Sequence, residues 1–364
     1  MASTHNNNNN NDNNNNNDQD VTLETIKNGF LEIQNHITSF LRDNTGQSEL
    51  EDRWDYHKGA GGGITRVWEG RNKEEFYLQP TTEGTKLFEL GKTDVLEKAG
   101  VNFSYISGNN LPSAAATQFN VDPSLGFVAT GVSLVLHSYN PNVPTIHMNV
   151  RYFQAGDSVW WFGGGVDVTP VYPRLSQVTE YHRKLDQLCR DFGSPALNLT
   201  YQHGKKECDQ YFYLKHREET RGVGGLFFDH LSKKLGDATS DEAKAMPEQE
   251  KKQRIWKFIY QLGMAFTELY RPFLVDNLQT PYTEPMRDFQ LYRRSRYVEF
   301  NLLFDRGTKF GIQSEGRIES IFMSLPAVCK WRYNYHPEPN TPEFELTDFY
   351  LKPQDWLALN QNKN

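Results

Sequence analysis

The chain has only three cysteines among its 364 residues, Cys189, Cys208 and Cys329. An odd number at those separations matches neither a disulfide framework nor the paired spacing of a zinc knuckle, so reduced thiols packed as small apolar side chains are expected. Long apolar runs are missing as well: no window offers the roughly eighteen uncharged apolar residues that a membrane-spanning helix needs. Positive charge is in deficit, with Lys and Arg together at 39 against 46 for Asp and Glu, a formal net charge of −7. That balance argues against a general polyanion binder, so no nucleic-acid partner is expected, because phosphate backbones are held by clustered excess Lys and Arg. An anionic small molecule can still be held where arginines gather locally.

The first twenty residues have almost nothing apolar to bury, being asparagine runs broken by Asp12, Asp18, Gln19 and Asp20. Such a segment cannot offset the entropy of ordering the chain. Residues 1–20 are therefore expected to be a disordered Asn-rich tail and residues 21–364 a single domain with an ample core. This N-terminus has neither the Arg-rich amphipathic character of a transit peptide nor the apolar core of a secretory signal. The expectation is a soluble, cytoplasmic protein with no integral membrane segment.

What is present is periodic. Val21, Leu23, Ile26, Phe30, Ile33, Ile37 and Phe40 recur at three- and four-residue steps, which predicts an amphipathic helix over 21–41. Residues 174–190, 205–220 and 250–271 read as further helices. Short runs rich in β-branched and aromatic residues, bounded by Gly, Pro, Asn or Asp, predict strands at 133–138, 145–153, 159–162, 297–304, 310–313 and 320–325, with weaker candidates around 76–78. Several links between them are too short for a parallel crossover, so antiparallel hairpins are favoured. The fold class is α+β, an antiparallel sheet with helices packed on it.

Side chains alternate across a strand, so Ile146, Met148, Val150 and Tyr152 share one face while His147, Asn149 and Arg151 share the other. The preceding strand places Ser133, Val135 and His137 together. If 297–305 is a neighbouring strand, Asp305 joins them. The outward positions are short of Lys, Glu and Thr, and Pro141 and Pro144 pin the intervening turn. Ordinary solvent-facing residues and a functional face both remain open on these features.

The Gly163-Gly-Gly165 and Arg221-Gly-Val-Gly-Gly225 clusters fit no phosphate-binding loop and are expected to let backbone, or a ligand, approach backbone closely. Asp167, following glycines, reads as a cap or turn residue. His137, His147, His182 and His216 raise a metal-site hypothesis. Without a His-Glu-x-x-His pair or a carboxylate at triad spacing, that hypothesis ranks below structural or acid/base histidines. No Gly-x-Ser-x-Gly elbow is present.

Several blocks together carry a resemblance. They are Ala99-Gly-Val-Asn-Phe-Ser104, Asn140-Pro-x-x-Pro-Thr-x-His-x-Asn-x-Arg-Tyr-Phe153, Trp160-Trp-Phe-Gly-Gly-Gly-x-Asp-x-Thr-Pro170, and His216-Arg with Arg221-Gly-x-Gly-Gly-x-Phe-Phe-Asp229. Tyr297-Val-Glu-Phe-Asn-Leu-Leu-Phe-Asp-Arg-Gly-Thr-Lys-Phe-Gly311, Arg317-Ile-Glu-Ser and Met323-Ser-Leu-Pro326 follow. In this order the chain resembles the oxygen-dependent coproporphyrinogen III oxidase family of haem biosynthesis.

The resemblance implies oxidative decarboxylation of two propionates of coproporphyrinogen III to vinyls, giving protoporphyrinogen IX. Dioxygen is the oxidant, and no metal or organic cofactor is required. It further implies a large flat antiparallel sheet between helix layers, and a homodimer whose contact is drawn from residues 297–332, Tyr297 and Arg332 included. By position, His147 looks like the acid/base residue and Asp305 like a carboxylate that positions pyrrole N–H groups. Ser133, Asn149, Val150, Arg151, Glu315, Gly316 and Arg317 look like substrate contacts, with Arg151 also close to the chemistry. His137, His147 and His216 form the fallback metal set, and residues 71–92 look like an insertion. A histidine-ligated metal oxygenase and a non-catalytic porphyrin binder are the competing expectations.

Overall fold

The computed structural model describes residues 21–70, 95–111, 116–117, 121–157, 159–232, 240–313 and 316–361. The expectations for the Asn-rich tail, the strand candidates near 76–78, the insertion at 71–92 and Glu315 lie outside the described residues.

Helix α1 (Leu23–Thr45) starts where the Thr22 hydroxyl accepts the Thr25 N–H and stops at Gly46, whose φ of 68° suits a residue without Cβ. Its apolar stripe, Ile26, Phe30, Ile33, Ile37 and Leu41, is fully buried, each side chain stabilising by about 1.5–3 kcal/mol relative to exposure. A meander follows: β1 (Leu50–Asp55), β2 (Ala60–Glu69), β3 (Leu96–Gly108), β4 (Phe127–Ser138), β5 (Thr145–Ala155) and β6 (Val159–Thr169). Helices α2 (Leu175–Phe192) and α3 (Tyr201–Tyr211) come next, then the small hairpin β7 (Tyr213–Leu214) and β8 (Glu219–Thr220), then β9 (Gly224–Leu231). The described sheet has the order β1-β2-β3-β4-β5-β6-β9, with antiparallel pairing throughout.

The C-terminal part is helical: α4 (Asp241–Ala245), α5 (Glu248–Val275), α6 (Glu284–Leu303), α7 (Arg306–Gln313), α8 (Ile318–Phe322), α9 (Pro342–Glu345) and α10 (Trp356–Gln361). One sheet face carries Val132, Leu134, Ile146, Met148, Val150 and Val166, and the main core joins these to α1, α2 and α5. Helix α3 lies against the edge strand β9, and on the other face α6 to α8 roof the middle strands. The expected α+β architecture, a flat antiparallel sheet with helices on both sides, is what forms. No helix among the described residues is long and apolar enough to cross a membrane.

Two expectations are corrected. Residues 205–220 are not one helix: α3 ends at Tyr211 and the β7–β8 hairpin follows. The strands expected at 297–304 and 310–313 fall on helices instead, and that expected at 320–325 falls on the end of α8 and the turn after it. Helix α6 is buried on nearly every side, and its arginines are neutralised rather than solvated. Arg294 and Arg287 pair with Glu97 of β3, and Arg293 pairs with Glu219 of β8. Buried charge of this kind removes the polar face on which helical periodicity depends. The remaining alternation in Val298-Glu-Phe-Asn-Leu302 imitates a strand.

Candidate functional site

Between the sheet and its C-terminal roof lies a cavity of about 410 Å³, within the few-hundred to one-thousand Å³ range of small-molecule sites. Its floor follows from strand register. His147 stands between Val135 of β4 and Asp167 of β6, Asn149 between Ser133 and Gly165, and Arg151 between Gly131 and Gly163. Gly131, Gly163 and Gly165 remove side chains from the floor, leaving a shelf on which a flat ligand can lie.

Asp167 closes the glycine run. Its Oδ1 accepts from His147 Nδ1 at 2.9 Å, and its two oxygens take three hydrogen bonds from Arg221 at 2.7–3.2 Å. Asp167 and Arg221 are both almost wholly buried. The Arg221 guanidinium lies 3.9 Å from the Phe212 ring centroid and 4.7 Å from that of Tyr297. Burial alone would raise the Asp167 carboxyl, but the Arg221 charge and the His147 hydrogen bond hold it below its ordinary value. An ionised Asp167 fixes the His147 tautomer with the proton on Nδ1, leaving Nε2 as the ring's acceptor. Asp167 is thus a partner of His147 rather than the cap or turn residue expected.

A second cluster surrounds Arg151. Its Nη1 donates to Asn149 Oδ1 at 2.6 Å and its Nη2 to Asp229 Oδ1 at 2.7 Å. Arg306 Nη2 approaches the other oxygen of Asp229 at 3.5 Å. Burial opposes the Arg151 charge, but Asp229 raises the guanidinium above its usual range. Asp305 reaches the cavity from the junction of α6 and α7, where its side chain accepts from Tyr211 Oη at 2.8 Å and from Thr308 N and Oγ1 at 2.6 and 2.8 Å. Burial would raise its carboxyl, yet the Thr308 and Tyr211 hydrogen bonds keep it low.

The expected site residues therefore divide. Ser133, His147, Asn149, Arg151 and Asp305 line one cavity, with Tyr297 above them. Val150 turns its side chain into the core on the opposite face. Gly316 and Arg317 are not among the lining residues; Arg317 pairs with Asp52 of β1 at 2.5 Å. Tyr297, expected at a dimer contact, is 2% exposed within the chain. Arg332 is partly exposed, paired with Asp288 and stacked on Tyr335 at 4.6 Å.

The fallback metal set does not share the cavity. His137 is buried, with Nε2 2.9 Å from Ser324 O and Nδ1 3.1 Å from Thr145 Oγ1. His216 Nε2 pairs with Glu299 at 2.8 Å. No group of three or more His, Cys, Asp or Glu arranged for a metal ion occurs among the described residues. His182 is likewise saturated by Val223 O and Tyr201 Oη.

Sequence reasoning missed Tyr211, Arg221, Asp229 and Arg306. Asp229 could have been found from alternation with Gly225 and Phe227. Arg306 was hidden by the strand expectation, which sends neighbours to opposite faces, whereas a helix start lets Asp305 and Arg306 both reach one cavity.

These features define an α+β enzyme-like protein organised around one large acid–base site with arginines for an anionic ligand. The sequence model described as Coproporphyrinogen III oxidase matches residues 25–356, and the chain belongs to that family. Over 346 residues, 94% of this chain and 97% of the relative, it is 61% identical to a protein named oxygen-dependent coproporphyrinogen-III oxidase from Dictyostelium discoideum.

Proposed function

We propose that this chain catalyses the reaction of its family, the dioxygen-dependent conversion of two propionates of coproporphyrinogen III to vinyl groups in haem biosynthesis, without a metal or organic cofactor. In each conversion the bond to the carboxylate breaks, and its electron pair becomes the vinyl π bond as CO₂ leaves. A hydride equivalent departs from the carbon next to the ring, and dioxygen with one further proton takes it up as hydrogen peroxide.

The observation that carries this proposal is the His147–Asp167 pair at the cavity edge, beside arginines and a glycine shelf. A reduced tetrapyrrole is electron-rich and can itself reduce dioxygen once a pyrrole N–H loses its proton, so the protein's task is proton handling and orientation. His147 Nε2 is the acceptor for that proton, with Asp167 stabilising the imidazolium that forms. Asp305 is placed to orient pyrrole N–H groups, Ser133 and Asn149 to hydrogen-bond the ligand, and Arg151 and Arg306 to hold propionates by charge-assisted hydrogen bonds. Gly316 and Arg317 contribute only if the roof settles further onto the ligand.

The test uses coproporphyrinogen III prepared anaerobically and protein dialysed against EDTA, following oxygen uptake and vinyl product together. Turnover at an undiminished rate is expected. Loss of activity that an added metal restores would refute the cofactor-free reaction, and binding without oxygen uptake would refute catalysis.

A further inference from the structure

Strand β9 is irregular where it pairs with the start of β6. Phe162 pairs with Leu231 and Gly164 with Phe228, so the single residue Gly163 faces two, Asp229 and His230. This two-against-one count is a β-bulge. A regular strand would send neighbours to opposite faces, as it does for Phe227 toward the cavity and Phe228 toward the main core. The bulge breaks that rule: Asp229 and His230 both line the cavity, and Leu231 returns to the core side.

The arrangement places His230 at a φ of 52°, a left-handed conformation that favours glycine or asparagine and costs a histidine backbone strain. Strain of this kind persists where surrounding structure imposes it, and it concentrates at ligand sites. The His230 ring is partly exposed and sits 5.7 Å from the Trp161 ring centroid. Its Nδ1 is 3.8 Å from Asp229 Oδ2, and its backbone N–H donates to Asp229 Oδ1 at 2.9 Å.

We infer that His230 is a further substrate-contacting residue, turned into the cavity by the bulge to hydrogen-bond the substrate carboxylate that Arg151 and Arg306 attract. Arg151 and Arg306 converge on Asp229 beside the imidazole, so a carboxylate entering there meets charge-assisted N–H donors next to the ring. Burial holds the His230 imidazole below its ordinary range even though Asp229 opposes this. The ring therefore enters as a neutral N–H donor. This inference rests on the proposed reaction for its ligand class, though its geometry stands apart from His147 and Asp167.

His230→Gly and His230→Asn both accept the left-handed backbone. Kinetics with coproporphyrinogen III are paired with titrations of coproporphyrin III, the oxidised macrocycle that keeps the carboxylates and needs no turnover. His230→Gly is expected to raise KM and the coproporphyrin III Kd about tenfold, with kcat changed less than threefold and Tm unchanged or higher. His230→Asn, which keeps an N–H donor, is expected to lose less. Unchanged KM and Kd in both variants would overturn the inference, as would a fall in Tm that accompanies equal losses in kcat and KM. Absence of oxygen uptake by the parent protein would instead strike the proposed reaction, and the coproporphyrin III titrations would still decide the role of His230.

Discussion

His147 and Asp167 are registered partners on adjacent strands, with the imidazole Nδ1 2.9 Å from the carboxylate and Arg221 holding that carboxylate from behind. The pair acts as a unit: the aspartate sets which nitrogen faces the ligand, and the arginine keeps the aspartate ionised. His147→Gln removes the base and should lower kcat by about a hundredfold or more. Asp167→Asn should cost a similar factor by releasing the tautomer. In steady-state oxygen uptake, the double variant should lose little beyond either single one. Losses that multiply would mean the two residues act independently.

Removing Arg221 leaves the buried Asp167 without its guanidinium partner and with only the His147 hydrogen bond, and losing one partner of a buried ion pair typically costs about 3–5 kcal/mol. Arg221→Met should therefore lower the urea midpoint markedly, and chemical denaturation at pH 7 measures it. A change under about 1 kcal/mol would show that water or another cation reaches Asp167 readily.

Gly163 makes room for the Arg151–Asp229 pair. A Cβ there would lie 2.7 Å from Asp229 Oδ1 and 2.9 Å from Arg151 Nη2, closer than carbon and polar atoms sit without moving. Gly163→Ala should push the pair aside and raise KM several-fold, as a milder form of Arg151→Ala, which removes the anion anchor outright. Unchanged KM in both variants would place the pair outside substrate recognition.

His137 supplies a pH dependence of stability that does not involve the chemistry. Burial, with the nearby Arg294 charge, lowers its imidazole from 6.5 to about 3. Between those values the unfolded chain binds a proton that the folded chain does not. Stability should therefore fall as the pH drops below 6.5, by about 1.4 kcal/mol per pH unit for this one group, with no contribution above it. Urea midpoints from pH 7 to pH 5 follow the slope, and His137→Gln should flatten it.

Leu302, Leu303, Ile312, Ile318, Trp331 and Tyr333 are exposed apolar residues concentrated between 302 and 333, the stretch from which a homodimer contact is expected, while Tyr297 itself is buried. Leu303→Asp should shift the sedimentation coefficient from dimer to monomer. A parent chain that sediments as a monomer at micromolar concentration would remove the dimer.

Local pattern made much of this protein legible. The stripe from Ile26 to Leu41 specified α1, and the alternation of His147, Asn149 and Arg151 against Ile146, Met148 and Val150 specified both β5 and the face that would carry polar chemistry. Those readings depend on one element meeting one apolar layer, so periodicity reports them directly. Where an element is enclosed on all sides the signal fails. Arg287, Arg293 and Arg294 of α6 are hidden by Glu97 and Glu219, contacts made by residues far away in sequence, so the helix showed no polar face and its last turns, from Tyr297, read as a strand.

The same physical reason explains the site. Composition and spacing placed His147, Arg151 and Asp305 as candidates, but they could not show that Asp167 is the partner of His147. They also could not show that Arg306 shares a cavity with Asp305, or that a bulge turns His230 inward. Each depends on strand register and helix docking, which bring together groups that the chain separates. The sequence alone determined the family, the fold class and the polar strand face. Only the tertiary structure decided which charges compensate one another and which nitrogen of His147 is left for the ligand.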